Sequence, residues 1–338
     1  MRTYTLYRDF SVEGRDISGV TGVYDSSDEV PLSDSLVTGI SKLWKEMLED
    51  AGKSGGVLYN GQLVNVRGVE EPFDNLTAIV FGPACFRDYI TMRIFLDRTK
   101  NPADYGISDS DLEISKQFTV FSPSPIVFAE DKFIMGIKGQ KVIIGTGNLG
   151  FPGGGYTERD KDAFKSRGIS YLAPFGLMVR RQVVNEIGTP ENLINKIQVL
   201  ELAGSTYPGS HRSTALFCAV NTSDLISEIK RRKIQDKPLE AWEHKGPYWF
   251  VPKDPDIVSA LLSAQEDFEG VPLSDKHASA IDGIGDTRLI RTTGKACYGL
   301  FAIGRHLFGE DWYQDQLEKH KDHVKISYGE GAFERVVR

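Results

Sequence analysis

The 338-residue chain has only three cysteines, Cys85, Cys218 and Cys297, odd in number and far apart. That spacing excludes a disulfide framework or a zinc ribbon as the basis of its fold. There is no basic excess: 40 Lys and Arg stand against 47 Asp and Glu, a net charge of −7. A chain this acidic lacks the footprint for broad, sequence-independent nucleic-acid binding. No apolar run approaches the roughly 20 residues of a membrane helix. Residues 1–7 carry neither a hydrophobic signal core nor an amphipathic presequence, so a cytoplasmic protein without membrane partners is expected. Internal repeats and low-complexity tracts are also missing. What remains, 40% hydrophobic and 26% charged, is the composition of an ordinary globular protein. At roughly 150 residues per domain, its length suits two domains or one enlarged one.

The pattern predicts an α/β protein. A strand is expected over 4–10 and a helix over 36–50, where Leu36, Ile40, Leu43, Trp44, Met47 and Leu48 share a face. Strands follow at 63–68 and 76–81, then a mixed stretch over 84–96 and a polar loop over 97–111. Pro123 and Pro125 open a second region, which sets the expected division at 1–122, an N-terminal α/β region, and 123–338. There, 132–138 and 141–145 flank Gly139-Gln140 as a hairpin. A helix ends near Ile187 with Gly188 as its stop. Two strands are expected at 196–203 and 214–221. A helix over 225–233 is capped by Ser223-Asp224, and further helices span 254–264, 274–281 and 296–306.

The most informative stretch is Gly145-Thr146-Gly147-Asn148-Leu149-Gly150-Phe151-Pro152-Gly153-Gly154-Gly155. Gly145, Gly147 and Gly150 match the G-x-G-x-x-G dinucleotide fingerprint, which must open a helix that holds the pyrophosphate. Phe151-Pro152 and three glycines follow at once, which is no helix start. Phe151-Pro152-Gly153-Gly154-Gly155 instead resembles the Pro-Gly-Gly entrance to the Nudix box. Downstream, residues 181–189 are similar to the box's R-E-U-x-E-E-x-G-U, where U is a bulky aliphatic residue. Arg181, Val183, Glu186 and Gly188 match. Gln182 and Asn185 stand where the family has glutamates, and Thr189 replaces the final aliphatic. Asp160 takes an acidic place six residues after Gly154, and the spacing from there to Arg181 is about a dozen residues longer than in the family.

The resemblance implies a Nudix-like mixed sheet sandwiched by helices, with an N-terminal α/β region and extra C-terminal helices. It implies Mg2+- or Mn2+-dependent hydrolysis of a nucleoside diphosphate linked to another moiety. Residues 182, 185 and 186 share a helical face by their i, i+3 and i+4 spacing, and hard divalent ions want several oxygen ligands. Glu186, Gln182 and Asn185 are then the catalytic candidates, and Glu186, Asp160 and Gln182 the metal ligands. Glu158 and Glu201 are substitute carboxylates. Gly153, Gly154 and Gly155 would let the backbone approach the pyrophosphate, and Arg212 would pair with a phosphate. With two amides in place of carboxylates, the alternative is a weak or inactive Nudix-like protein that binds nucleotides for regulation or scaffolding. Either form is compatible with a homodimer. Leu58-Tyr59-Asn60-Gly61 with residues 81–89 is similar to Nudix enzymes that cleave UDP-glucose, although Asn60-Gly61 is also ordinary hairpin chemistry.

Other signals carry less. Gly52-Lys53-Ser54 resembles a Walker A ending, but Met47 stands where the pattern needs glycine. His320 and His323 find no further ligand by spacing. Glu266, Asp267 and Glu269 read as an acidic turn, and Cys297 as a small core residue. Tyr248, Trp249 and Phe250 fit strand packing as well as base stacking.

Overall fold

The computed structural model describes residues 2–10, 15–25, 29–53, 58, 60–73, 76–96, 98–115, 119–139, 147–153, 174–206, 212–240, 243–264, 271–285 and 289–328. Its first elements are β1 (Arg2–Asp9), β2 (Val20–Tyr24), α1 (Asp34–Lys53), β3 (Gln62–Phe73), β4 (Leu76–Cys85), α2 (Phe86–Leu96) and α3 (Asp109–Ser115). The middle runs through β5 (Thr119–Ala129), β6 (Lys132–Lys138), β7 (Leu149–Gly150), α4 (Phe175–Gln182), β8 (Ile194–Thr206), β9 (Arg212–Thr222) and α5 (Ile226–Gln235). Then come β10 (His244–Pro252), α6 (Pro255–Ser263), β11 (Val271–Pro272), α7 (Asp275–Ala280), β12 (Leu289–Ile290), α8 (Gly294–Phe308), α9 (Glu310–Lys319) and β13 (Val324–Tyr328).

A mixed sheet flanked by helices carries all of these strands except β11 and β12, which pair with each other apart from it. Its path is β13-β1-β8-β9-β5-β3-β4-β2, and β6 branches from β5 to pair with β10 and β7. β5 runs parallel to β9 from Thr119 opposite Arg212 to Ala129 opposite Thr222. β8 and β9 are antiparallel. The division expected near residue 122 falls inside β5, and β3 joins the same sheet through Asn65 opposite Val120.

Successive strand residues point to opposite faces, and β5 uses this to serve two apolar layers. Ile126 and Phe128 pack with Leu200, Leu261 and Phe301, towards α6 and α8. Val127 and Ala129 pack with Met178, Val183 and Val220, towards α4. Each large side chain so buried contributes about 1.5–3 kcal/mol. A third cluster joins Leu36, Ile40 and Leu43 of α1 to Phe95 and Leu96 of α2, as the periodicity of α1 requires. No helix among the described residues is long and apolar enough to cross a membrane.

Several expectations change. The polar stretch over 97–111 holds a 3-10 turn and the start of α3. Asp111 N donates to Ser108 Oγ at 3.2 Å while Ser108 N donates to Asp111 Oδ2 at 3.0 Å, a reciprocal cap. Asn60 caps α2: its Oδ1 accepts from Arg87 N at 2.8 Å, and Gly61 O accepts from Phe86 N. Helix α5 is not capped by Ser223-Asp224: Asp224 is taken by Arg232, and Glu130 Oε1 accepts from Ile226 N at 3.1 Å instead. Tyr248, Trp249 and Phe250 lie in β10, and α9 was not anticipated. The expected strand over 141–145 lies outside the described residues.

Candidate functional site

Proline prepares the site. Pro123 and Pro125 have no N–H to give a ladder, and β5 meets β3 only at Val120 and β6 only at Phe128 and Ala129. Among the described strands, then, residues 121–127 have a partner on one side, β9, and a gap on the other. Gly153 lies in that gap. A Cβ there would sit 3.1 Å from Pro125 Cδ and 3.4 Å from Pro123 O, and φ is +146°. Only glycine adopts that backbone at so little distance from a neighbouring strand. Phe151 anchors the approach, buried against Phe133 and against α8 at Gly299.

Helix α4 comes up beside this glycine. Its apolar face, Phe175, Met178 and Val179, packs on Phe121 and its neighbours. It then loosens into a π turn over Val183–Ile187 and stops at Gly188, whose φ is +80°. The last carbonyls of a helix lack intrahelical donors, and Tyr248 Oη–H supplies one to Glu186 O. Pro238 closes over Gly188, where a Cβ would be only 2.7 Å from its Cγ. This fold-back lets Glu240 N donate to Asn185 O at 2.8 Å and carries Glu240 and Glu243 to the end of the helix. Gly139 N donates to Glu243 O, and His244 then starts β10 opposite Lys138.

The result is a convergence of carboxylates. Glu186, Glu240 and Glu243 each offer an oxygen within 4.8 Å of the others. Glu186 is fully buried. Its Oε2 accepts from Gly153 N at 2.9 Å and lies 3.2 Å from His244 Nε2. Its Oε1 has no hydrogen-bond partner among the described residues. Burial works against its charge, but the His244 contact, Lys138 and the Gly153 N–H hold it below the usual carboxylate value. Burial, with Lys138 nearby, pushes His244 down to about 4. The imidazole is therefore neutral near pH 7, with Nε2–H donating to the carboxylate. Burial and the Glu186 charge push Glu243 up to about 7, a value suited to proton transfer at neutral pH.

Three ammonium groups face these acids. Lys138 Nζ lies 3.6 Å from Glu243 Oε2. Lys233 Nζ donates to His244 O at 3.0 Å, and burial pushes it down to about 8. Burial and Lys138 push Lys295 down to about 7.

The expected ligands are thus only partly those assembled. Glu186 sits at the centre. Asn185 is half-buried and donates from Nδ2 to Glu240 Oε1 at 3.4 Å, which ties it to a ligand candidate. Gln182 is buried four residues before Glu186. Glu201 is not a substitute: it packs against α8, 3.6 Å from Arg305. Asp160, Glu158, Gly154, Gly155 and the turn over 266–269 lie outside the described residues, and Arg212 is placed only as the first residue of β9. Glu240, Glu243, His244, Lys138 and Lys295 were missed. The one available signal was density, since Glu240, Glu243 and His244 put three potential ligands into five positions ahead of an aromatic strand.

The residues fit a divalent cation in two respects. Three carboxylates in reach of one point suit a hard ion, and the unpartnered, buried Oε1 of Glu186 is an acceptor that lacks a donor. No protein-family model and no curated protein matches the chain.

Proposed function

We propose that the chain is a Nudix-like hydrolase that cleaves the pyrophosphate of a nucleoside diphosphate linked to another moiety. The observation that carries this reading is the convergence of Glu186, Glu240 and Glu243 beside Gly153, at the end of the helix α4 that follows Gly153 in sequence. The order of elements supports it too: β5 and β6, the glycine segment, α4, then β8 and β9. Mg2+ or Mn2+ held by the three glutamates would neutralise diphosphate charge and polarise the bond to be broken. Gly153 seats the segment against Pro123 and Pro125 and aims its N–H at Glu186, and His244 keeps Glu186 ionised and oriented. UDP-sugars are the first substrates to try, on the upstream resemblance.

A second reading, binding without cleavage, is favoured by one observation. Lys138 already lies 3.6 Å from Glu243, so part of the acid charge is offset without an ion. The test is turnover of UDP-glucose, ADP-ribose, NADH and diadenosine polyphosphates with Mg2+ or Mn2+, beside Glu243→Gln. Metal-dependent cleavage lost in the variant supports the hydrolase. No cleavage, with a nucleotide-dependent rise in Tm, supports the binding protein.

A further inference from the structure

We propose that Lys295 and Lys138 form an anion subsite beside the three glutamates, built to take a phosphate group; that the phosphate belongs to a nucleoside diphosphate rests on the reading above. Lys295 is the second residue of α8. Its Nζ donates to Ser122 Oγ at 2.6 Å, and no carboxylate among the described residues forms an ion pair with it. Its electrostatic neighbours are Lys138, which repels it, and Glu186 and Glu243, which attract it from farther than ion-pairing distance. Lys138 reaches the same place from β6. Gly150 makes room for it: a Cβ there would lie 3.3 Å from Lys138 Cε and 3.8 Å from Thr293 Oγ1. Thr293 is the N-cap of α8, its Oγ1 accepting from Ala296 N at 3.1 Å.

Two ammonium groups and the Ser122 hydroxyl therefore gather at the first turn of a 15-residue helix. A half-buried cation whose hydrogen-bond partner is a neutral hydroxyl, and whose neighbour is another cation, is poorly compensated. A phosphate would supply the missing charge-assisted bonds, and the positive end of the helix favours the same sign of ligand. The subsite adjoins the acid trio, so the phosphate would lie between lysines on one side and carboxylates with their cation on the other.

Calorimetric titration of the full chain with inorganic pyrophosphate in EDTA tests the subsite without any metal. The wild type binds, Lys295→Met weakens binding about tenfold or more, and Lys295→Arg stays within about threefold of the wild type. On the unmutated chain, pyrophosphate slows acetylation of Lys295 by acetic anhydride, read by peptide mass spectrometry. Absence of pyrophosphate binding, equal binding by Lys295→Met, or unprotected Lys295 would each overturn the subsite. The two readings separate cleanly. Nucleotide turnover with KM unchanged in Lys295→Met removes the subsite alone, whereas pyrophosphate bound through Lys295 with no nucleotide cleaved removes the hydrolase alone.

Discussion

Glu186 and Glu201 are both fully buried, in one protein, on helix and strand of the same layered fold, yet their charges go opposite ways. Glu186 is held below the ordinary carboxylate value, while burial pushes Glu201 up to about 7. Depth does not separate them; donors do. Glu186 receives the Gly153 N–H and the neutral His244 and has Lys138 nearby. Glu201 has Arg305 at 3.6 Å, but that guanidinium is claimed at 2.5 Å by both Asp9 and Glu310. Tyr298 and Arg305 ease the charge of Glu201, but burial, with the Asp9 carboxylate beside it, outweighs them. A buried carboxylate keeps its charge where backbone and ring N–H groups are aimed at it, and surrenders it where a cation is shared.

The strongest way to break this contrast is to remove each acid. Glu186→Ala strands the Gly153 and His244 donors and should destabilise the chain by roughly 3 kcal/mol in urea unfolding at pH 7. Glu186→Gln, which keeps an acceptor oxygen, should lose clearly less. Equal losses from Glu186→Ala and Glu201→Ala would refute the argument from donors.

The next effect lies in pH. Because the folded Glu201 carboxyl is raised, the folded state keeps a proton that the unfolded state releases from about pH 4.5 upward. Its contribution to stability therefore falls as pH rises from about 4.5 to 7, by up to about 3 kcal/mol. Glu186 has the opposite sign: its contribution is present above the unfolded value and is lost as pH falls through its lowered one. Urea unfolding at pH 5 and pH 8 should show a smaller decline for Glu201→Gln than for the wild type, and an identical decline would rule the assignment out. The smallest expected effect concerns Lys138, which competes with a cation for Glu243. Lys138→Met should tighten Mn2+ binding by roughly two- to fivefold, measured by calorimetry.

Much of the scaffold was legible. The apolar spacing of Leu36, Ile40 and Leu43 marks α1, and Gly188 marks the end of the helix that carries Glu186. The start of α3 at Asp109 reads as loop because polar residues that cap a helix, here Ser108 and Asp111, look like polar residues that avoid one. The site was half legible. Glu186 stands out by its helix and its glycine segment, but Glu240 and Glu243 reach it only through the fold-back of Pro238 over Gly188, a contact between residues fifty apart that no local pattern encodes. The i, i+3, i+4 argument also assumed an α-helix throughout. A π turn from Val183 to Ile187 widens the spacing, and Asn185 ends beside Glu240 instead of sharing the position of Glu186.

The pairing of β1 with β13 has a consequence for how the chain folds. Arg2 sits opposite Val324 and Leu6 opposite Tyr328, so this contact joins strands about 320 residues apart in sequence. β5 and β9 likewise meet only across the whole segment that contains α4. Contacts this distant must be reached before they repay the entropy of closing their loops. On the ribosome, β1 waits for more than 300 further residues before its outer neighbour exists. In the interval one strand edge stays open to pairing with other chains. Slow refolding and a yield that drops with protein concentration are the behaviour this topology predicts.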